Sequence, residues 1–289
     1  MLAALYGLAC EEATGALECV GGIASRSLAL LADATHLFAD LAALILAYAA
    51  MTMADRAPTR RLTFGLYRAE ILAAFVNAQV LLVLSLGILI EAAIRLRSPV
   101  EVQPRLMLLV AGVALAANLV AIRLLSHGHE HRENLNIRAV YLEVLGDAMG
   151  SAAVLVIALV IPATGWGWLD PAVSAAVALV ILPRAVSLLR QSAHILLEGA
   201  PGDIDLPALR TAILGVPGVE TIHDLHFWTL TSGIHSGSLH IRAATDASRA
   251  DVLAQVQRVL HEAAGIDHAT IQLEMGDEMT CHAANRGHA

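Results

Sequence analysis

The sequence predicts a membrane protein in two parts. An all-α bundle of six transmembrane helices fills residues 1–200, a small α+β domain fills 201–276, and 277–289 form a loose tail. Three observations carry this. Hydrophobic residues make up 57% of the 289 and charged residues only 15%, with a mean hydropathy of +0.66, whereas soluble domains carry about 25% charged residues. Six apolar runs are each long enough to cross a bilayer, which takes about 20 residues. After GAPGDID, near residue 200, the long runs stop and short amphipathic stretches replace them.

The expected spans fall near 2–24, 28–53, 70–94, 105–126, 137–161 and 168–190. The first is interrupted by Glu11, Glu12 and Glu18. It lacks the basic start of a cleaved signal peptide, so it is expected to stay in the mature protein, and it begins at residue 1, which leaves open an extension before it. Arginine in short loops sets orientation. Arg56, Arg60, Arg61 and Arg68 follow the second span, and Arg123, Arg132 and Arg138 flank the loop before the fifth. Both loops are expected in the cytoplasm, and six spans then put both termini there. The loop PATGWGWL has no basic residue and carries Trp166 and Trp168, suited to an outer interface. Arg95, Arg97 and Arg105 around another outer loop run against the rule.

In the second part, LPALRTAIL reads as a helix at 205–214 that ends at GVPG. Strands are expected at 219–230 and 236–244, the latter because Leu239, Ile241 and Ala243 alternate with polar neighbours. Val252, Val256, Val259 and Leu260 recur at helical spacing over 248–264. A last strand runs through ATIQLEM. The order α-β-β-α-β gives helices on one face of a sheet.

A net charge of −8 argues against nucleic-acid binding. Cys10, Cys19 and Cys281 form no CxxC and no disulfide framework. No HExxH or nucleophile motif is present, so neither an enzyme nor an organic cofactor is expected.

Chemistry concentrates in two strings, THLFAD and LEVLGD, each within an apolar run. They place His36 with Asp40, and Glu143 with Asp147, at four-residue spacing, so each pair leaves one helix face. Ionisable groups at membrane depth are costly unless they pair, face a cavity or bind something. Zn²⁺ accepts imidazole nitrogen and carboxylate oxygen in a tetrahedron, and two such helices complete one. Asp33 shares the stripe and is expected to cap or hold the helix entrance. Gly146, Ala148 and Gly150 would let helices approach closely. Asn77, Gln79 and Asn118 are expected to hydrogen-bond between spans.

The strings SRSLALLADATHLFAD, TFGLYRAEILAAFVNA, LEVLGDAMGS, LLEGAP, HDLHFWTLTSG and HATIQLE, in this order over nearly the whole chain, resemble the cation diffusion facilitator family, in particular its bacterial zinc, cobalt and cadmium efflux members. The resemblance implies a homodimer of six-helix subunits in the bacterial inner membrane, each with a cytoplasmic ferredoxin-like domain, exporting divalent metal in exchange for protons. It implies a transport site of His36, Asp40, Glu143 and Asp147. It also implies a regulatory metal site from His223, His240, His268 and Glu274. The strand pattern agrees for His240, which falls on the face opposite Leu239, Ile241 and Ala243. Asp267 is an alternative to His268, and His226 is expected to be structural beside Phe227 and Trp228.

Two departures stand out. Zinc-transporting relatives commonly carry His where this chain has Glu143, which shifts the site toward oxygen ligands and widens the candidate ions from Zn²⁺ to Co²⁺, Cd²⁺ or Ni²⁺. Tyr67 stands where relatives often have His, against an accessory site in that loop. The HGHEH run at 127–131 could collect metal weakly, and Cys281, His282 and His288 are weaker candidates. Metal loading needs deprotonated ligands and so releases protons; imidazole titrates near neutral pH, and His36 and Glu143 are the expected proton carriers. Two other classes stay open: a membrane metal sensor that moves no ion, and a membrane metalloenzyme.

Overall fold

The computed structural model describes residues 2–54, 56–126 and 135–275, with the side chains of 2–12, 125, 135–139, 143 and 275 outside that description. The HGHEH run and the tail candidates Cys281, His282 and His288 therefore lie outside the described residues.

Apolar runs of this length close all their backbone hydrogen bonds internally as helices, the condition for crossing lipid. Six long helices result: α1 (Leu2–Ser25), α2 (Leu28–Ala54), α3 (Arg68–Arg97), α4 (Pro104–Ser126), α5 (Leu135–Thr164) and α6 (Leu169–Leu196). Five of them, α2 to α6, are long and apolar enough to cross a membrane. The acid-interrupted α1 does not meet that measure among the described residues, though at 24 residues it is long enough. Two compact units form, Met1–Tyr48 with Ala73–Leu189, and Ala49–Leu72 with Arg190–Ala289.

In the first unit, small residues bring helices together. Ala29 and Leu30 of α2, Met107, Val110 and Ala111 of α4, and Val154, Ile157 and Ala158 of α5 form one buried cluster. The entrance of α2 is held by Asp170 of α6, not by Asp33. Asp170 is fully buried and accepts from Ser27 Oγ at 2.6 Å, Leu28 N at 2.8 Å and Ala29 N at 3.2 Å. These are amide donors that a helix N-terminus leaves without partners. Asp33 sits in the second turn, past any capping position.

The second unit carries α7 (Leu206–Leu214), β1 (Val219–Thr231), β2 (Ile234–Ala243), α8 (Arg249–Ala264) and β3 (His268–Met275), the expected α-β-β-α-β order. Asp205 caps α7 through Ala208 N, and Ser248 caps α8 through Asp251 N. Gly265 ends α8 in the left-handed conformation, φ 60°, which costs a residue without Cβ least. The sheet runs β1-β2-β3, antiparallel then parallel. Leu209, Ile213, Val252, Val256 and Leu260 from the helices meet Ile222, Leu239 and Ile241 of the sheet in one core. By the period-two alternation of strands, the opposite sheet face carries the polar set. The segment leading into α3 joins this unit: Arg68 pairs with Glu198 at 3.1 Å, and Glu70 accepts from Thr231 Oγ1 and Ser232 Oγ.

Candidate metal sites

In the first unit, α2, α5 and α6 line a cavity of about 870 Å³. Spacing of three and four puts Asp33, His36 and Asp40 of α2 on one stripe. It does the same for Gly146, Gly150 and Ala153 of α5, with Asp147 beside them, and for Val177, Ile181, Arg184 and Leu188 of α6. His36 Nδ1 lies 3.3 Å from Asp40 Oδ2, and this buried ring nitrogen has no hydrogen-bond partner among the described residues. Asp147 is buried, 6% exposed, on the facing helix. Three of the four residues expected at the transport site thus line one cavity. The fourth, Glu143, lies one turn before Asp147 on α5, and its side chain is outside the described residues.

The stripe extends deeper. Asp33 of α2 and Glu18 of α1 are both buried, Asp33 Oδ2 and Glu18 Oε2 have no hydrogen-bond partner among the described residues, and Glu18 Oε1 accepts from Ser151 Oγ at 3.4 Å. Gly150 makes room: a Cβ there would sit 2.9 Å from Asp33 Oδ1. Of the small residues expected to bring helices together, Gly150 does so against Asp33, Ala148 is buried, and Gly146 faces open space. The hydrogen bonds expected of Asn77, Gln79 and Asn118 do not appear among the described residues. Asn77 and Asn118 are buried and Gln79 is exposed.

In the second unit, strand register builds a tighter group. His223 of β1 pairs directly with His240 of β2, and their rings meet edge to face with centroids 5.3 Å apart. His240 pairs with Gln272 of β3, so Glu274, two residues on, shares that face one step along. His223 Nε2 lies 3.4 Å from Glu274 Oε2, and His240 Nδ1 lies 3.4 Å from Glu274 Oε1. The donor atoms of all three fall within 4.8 Å of one another. Glu274 is 3% exposed, and no hydrogen bond reaches its Oε2 or His240 Nδ1. A buried carboxylate is costly without compensation, and two nitrogens and a carboxylate facing inward suit Zn²⁺. The donor set fits a metal ion.

His268 is not part of this group. It lies six residues from Glu274 on the same strand, about 20 Å away at strand rise, and its ring meets Phe64 with centroids 5.4 Å apart. Asp267, the alternative, accepts from exposed His261 Nδ1 at 2.6 Å. His226, expected beside Phe227 and Trp228, is half exposed and bonds Asp224 at 3.0 Å. Sequence reasoning passed over three charged groups near the sites. Asp224 stands 3.7 Å from His240 Nε2, at a positive-φ bulge that no pattern announces. Glu18 and Arg184 are charges inside apolar runs, the one signal the sequence carries for them.

A multi-span helical bundle with acid and imidazole donors lining a cavity, joined to a small domain bearing a second donor group, defines a membrane transporter for cations. The chain belongs to the cation efflux family: residues 5–197 match the cation efflux transmembrane domain, and 201–275 match the cation efflux protein cytoplasmic domain. It is similar to the metal cation efflux system protein CzcD of Cupriavidus metallidurans, 42% identical over 89% of this chain and 81% of that protein. It is also similar to the zinc transporter ZitB of Escherichia coli, 40% identical over 96% and 88%. A third relative is the cadmium, cobalt and zinc/H⁺-K⁺ antiporter of Bacillus subtilis, 38% identical over 89% and 84%.

Proposed function

We propose that this efflux protein exports a divalent metal from the cytoplasm in exchange for protons, with Zn²⁺ the leading ion and Co²⁺ and Cd²⁺ within range. The observation that carries the reading is the placing of His36, Asp40 and Asp147 on the wall of one cavity between α2 and α5. Glu143 completes the set by its position one turn before Asp147. The names of the relatives support both the ions and the antiport. Harder oxygen ligands, relative to a set with a second histidine, widen the range of ions accepted. A homodimer in the bacterial inner membrane, with both termini cytoplasmic, fits the arginine-bearing loops and the match to a domain named for cation efflux proteins.

Proton coupling follows from the donors. Metal needs neutral His36 and ionised Asp40, Glu143 and Asp147; protons arriving at the same atoms expel it. His36 and Glu143 carry the exchanged protons, while the helices alternate the opening of the cavity. The group His223, His240 and Glu274 holds a resident metal that charges no transport step but fixes the sheet face bearing it. The test is Zn²⁺ uptake into inverted vesicles under an imposed pH gradient. Wild type accumulates metal and Glu143→Gln loses the dependence on the gradient. Full pH-driven uptake by Glu143→Gln would overturn the assignment of the proton carriers.

A further inference from the structure

Arg184 is out of place in a pathway for cations. It lies 15 residues into α6, about 22 Å along a helix rising 1.5 Å per residue, within the depth of an apolar core of about 30 Å. A charged residue at that depth marks function unless it has another explanation. Its face is not in doubt, because it continues the stripe Val177, Ile181 and Leu188 along the cavity wall. The same wall carries Asp33, His36, Asp40 and Asp147, and Arg184 is the one arginine among the described residues lining it. Its guanidinium attracts the carboxylate of Asp40, whose direct ion-pair partner among the described residues is His36 at 3.3 Å. It therefore stands close enough to act on Asp40 and is not locked to it.

Resting on the transport-site reading above, we propose that Arg184 is the resident counter-charge of this site, offsetting the negative charge of Asp40 from across the cavity and so loosening the hold of the ligands on a divalent cation. The charge balance asks for such a group. Three ligand carboxylates and a neutral imidazole leave one negative charge over after a divalent ion binds, and Glu143 is the carboxylate that creates the excess. An excess charge makes the ion hard to release, and a transport site must release on every cycle. Arginine suits the task because it stays charged at every relevant pH, so it does not compete for the protons that drive exchange. It tunes the affinity of ligands that other residues supply, and it is a positioning residue, not a ligand.

The test compares Arg184→Gln and Arg184→Lys in proteoliposomes, each with Glu143 native and with Glu143→His. All carry Glu274→Gln, so that binding reports the cavity. Removing the charge tightens Zn²⁺ binding by on the order of tenfold, the scale of one unit charge acting through a solvated protein. Apparent KM and maximal flux fall together, because release slows. Arg184→Lys keeps wild-type values. In the Glu143→His background the effect of Arg184→Gln shrinks to within about twofold, since the excess charge is gone. Unchanged or weaker binding in Arg184→Gln would overturn the proposal, as would Arg184→Lys behaving like Arg184→Gln, or an equal effect in both backgrounds. If Asp147→Ala retained cavity binding, the site itself would be wrong, a failure separable from that of Arg184.

Discussion

The cavity and the sheet cluster use the same donor types in opposite settings. In the cavity, His36 and Asp40 stand on one helix and Asp147 on another, and His36 and Asp40 side chains remain 24% and 33% exposed. Helices can shift against each other, so the donors can be assembled and dispersed. On the sheet, ladder register fixes His223 opposite His240, and Glu274 is sealed beneath them. A sheet cannot change register without turning its core face outward. One arrangement suits an ion that passes, the other an ion that stays.

That contrast can be broken at either end. The largest effect belongs to Asp40→Ala, which lowers Zn²⁺ flux in proteoliposomes to background while zinc binding by the carboxy-terminal domain persists. Flux above a tenth of wild type would place transport elsewhere. Next comes His240→Ala. Isothermal titration of the full chain loses the tight site of the sheet cluster, by more than the roughly 10–100-fold that losing an outer partner of a metal ligand costs. A retained site would dissolve the cluster. Smaller is Asp170→Ala, which leaves Ser27 Oγ and the amides of Leu28 and Ala29 without their acceptor. Each stranded donor costs about 1–3 kcal/mol, seen as a lower Tm in detergent with the metal sites intact. Least of all is His268→Ala, which leaves zinc stoichiometry unchanged because its ring faces Phe64.

Much of the molecule was legible in residue order. Period two in SLHIRA put His240 opposite Leu239 and Ile241, and the sheet has it there. Four-residue spacing put His36 and Asp40 on one face, and both line the cavity. What stayed hidden depends on contacts far apart in sequence. His268 and Glu274 alternate onto the same strand face, and only the pairing of Gln272 with His240 selects Glu274. Asp33 reads as a cap from its nearness to a helix start, but Asp170, 142 residues from Leu28, holds that position. Arg184 is a lone charge in an apolar run until α6 is seen to line the same cavity as Asp40.

The central claim is that one cluster moves metal and the other keeps it. Zn²⁺ flux driven by a pH gradient, measured side by side for Asp147→Ala and Glu274→Gln with bound zinc counted in each, tests it most directly. Asp147→Ala must lose flux and keep the carboxy-terminal zinc, whereas Glu274→Gln must lose that zinc and retain measurable flux. Wild-type flux in Asp147→Ala, or abolished flux in Glu274→Gln with its cavity binding intact, would contradict the account.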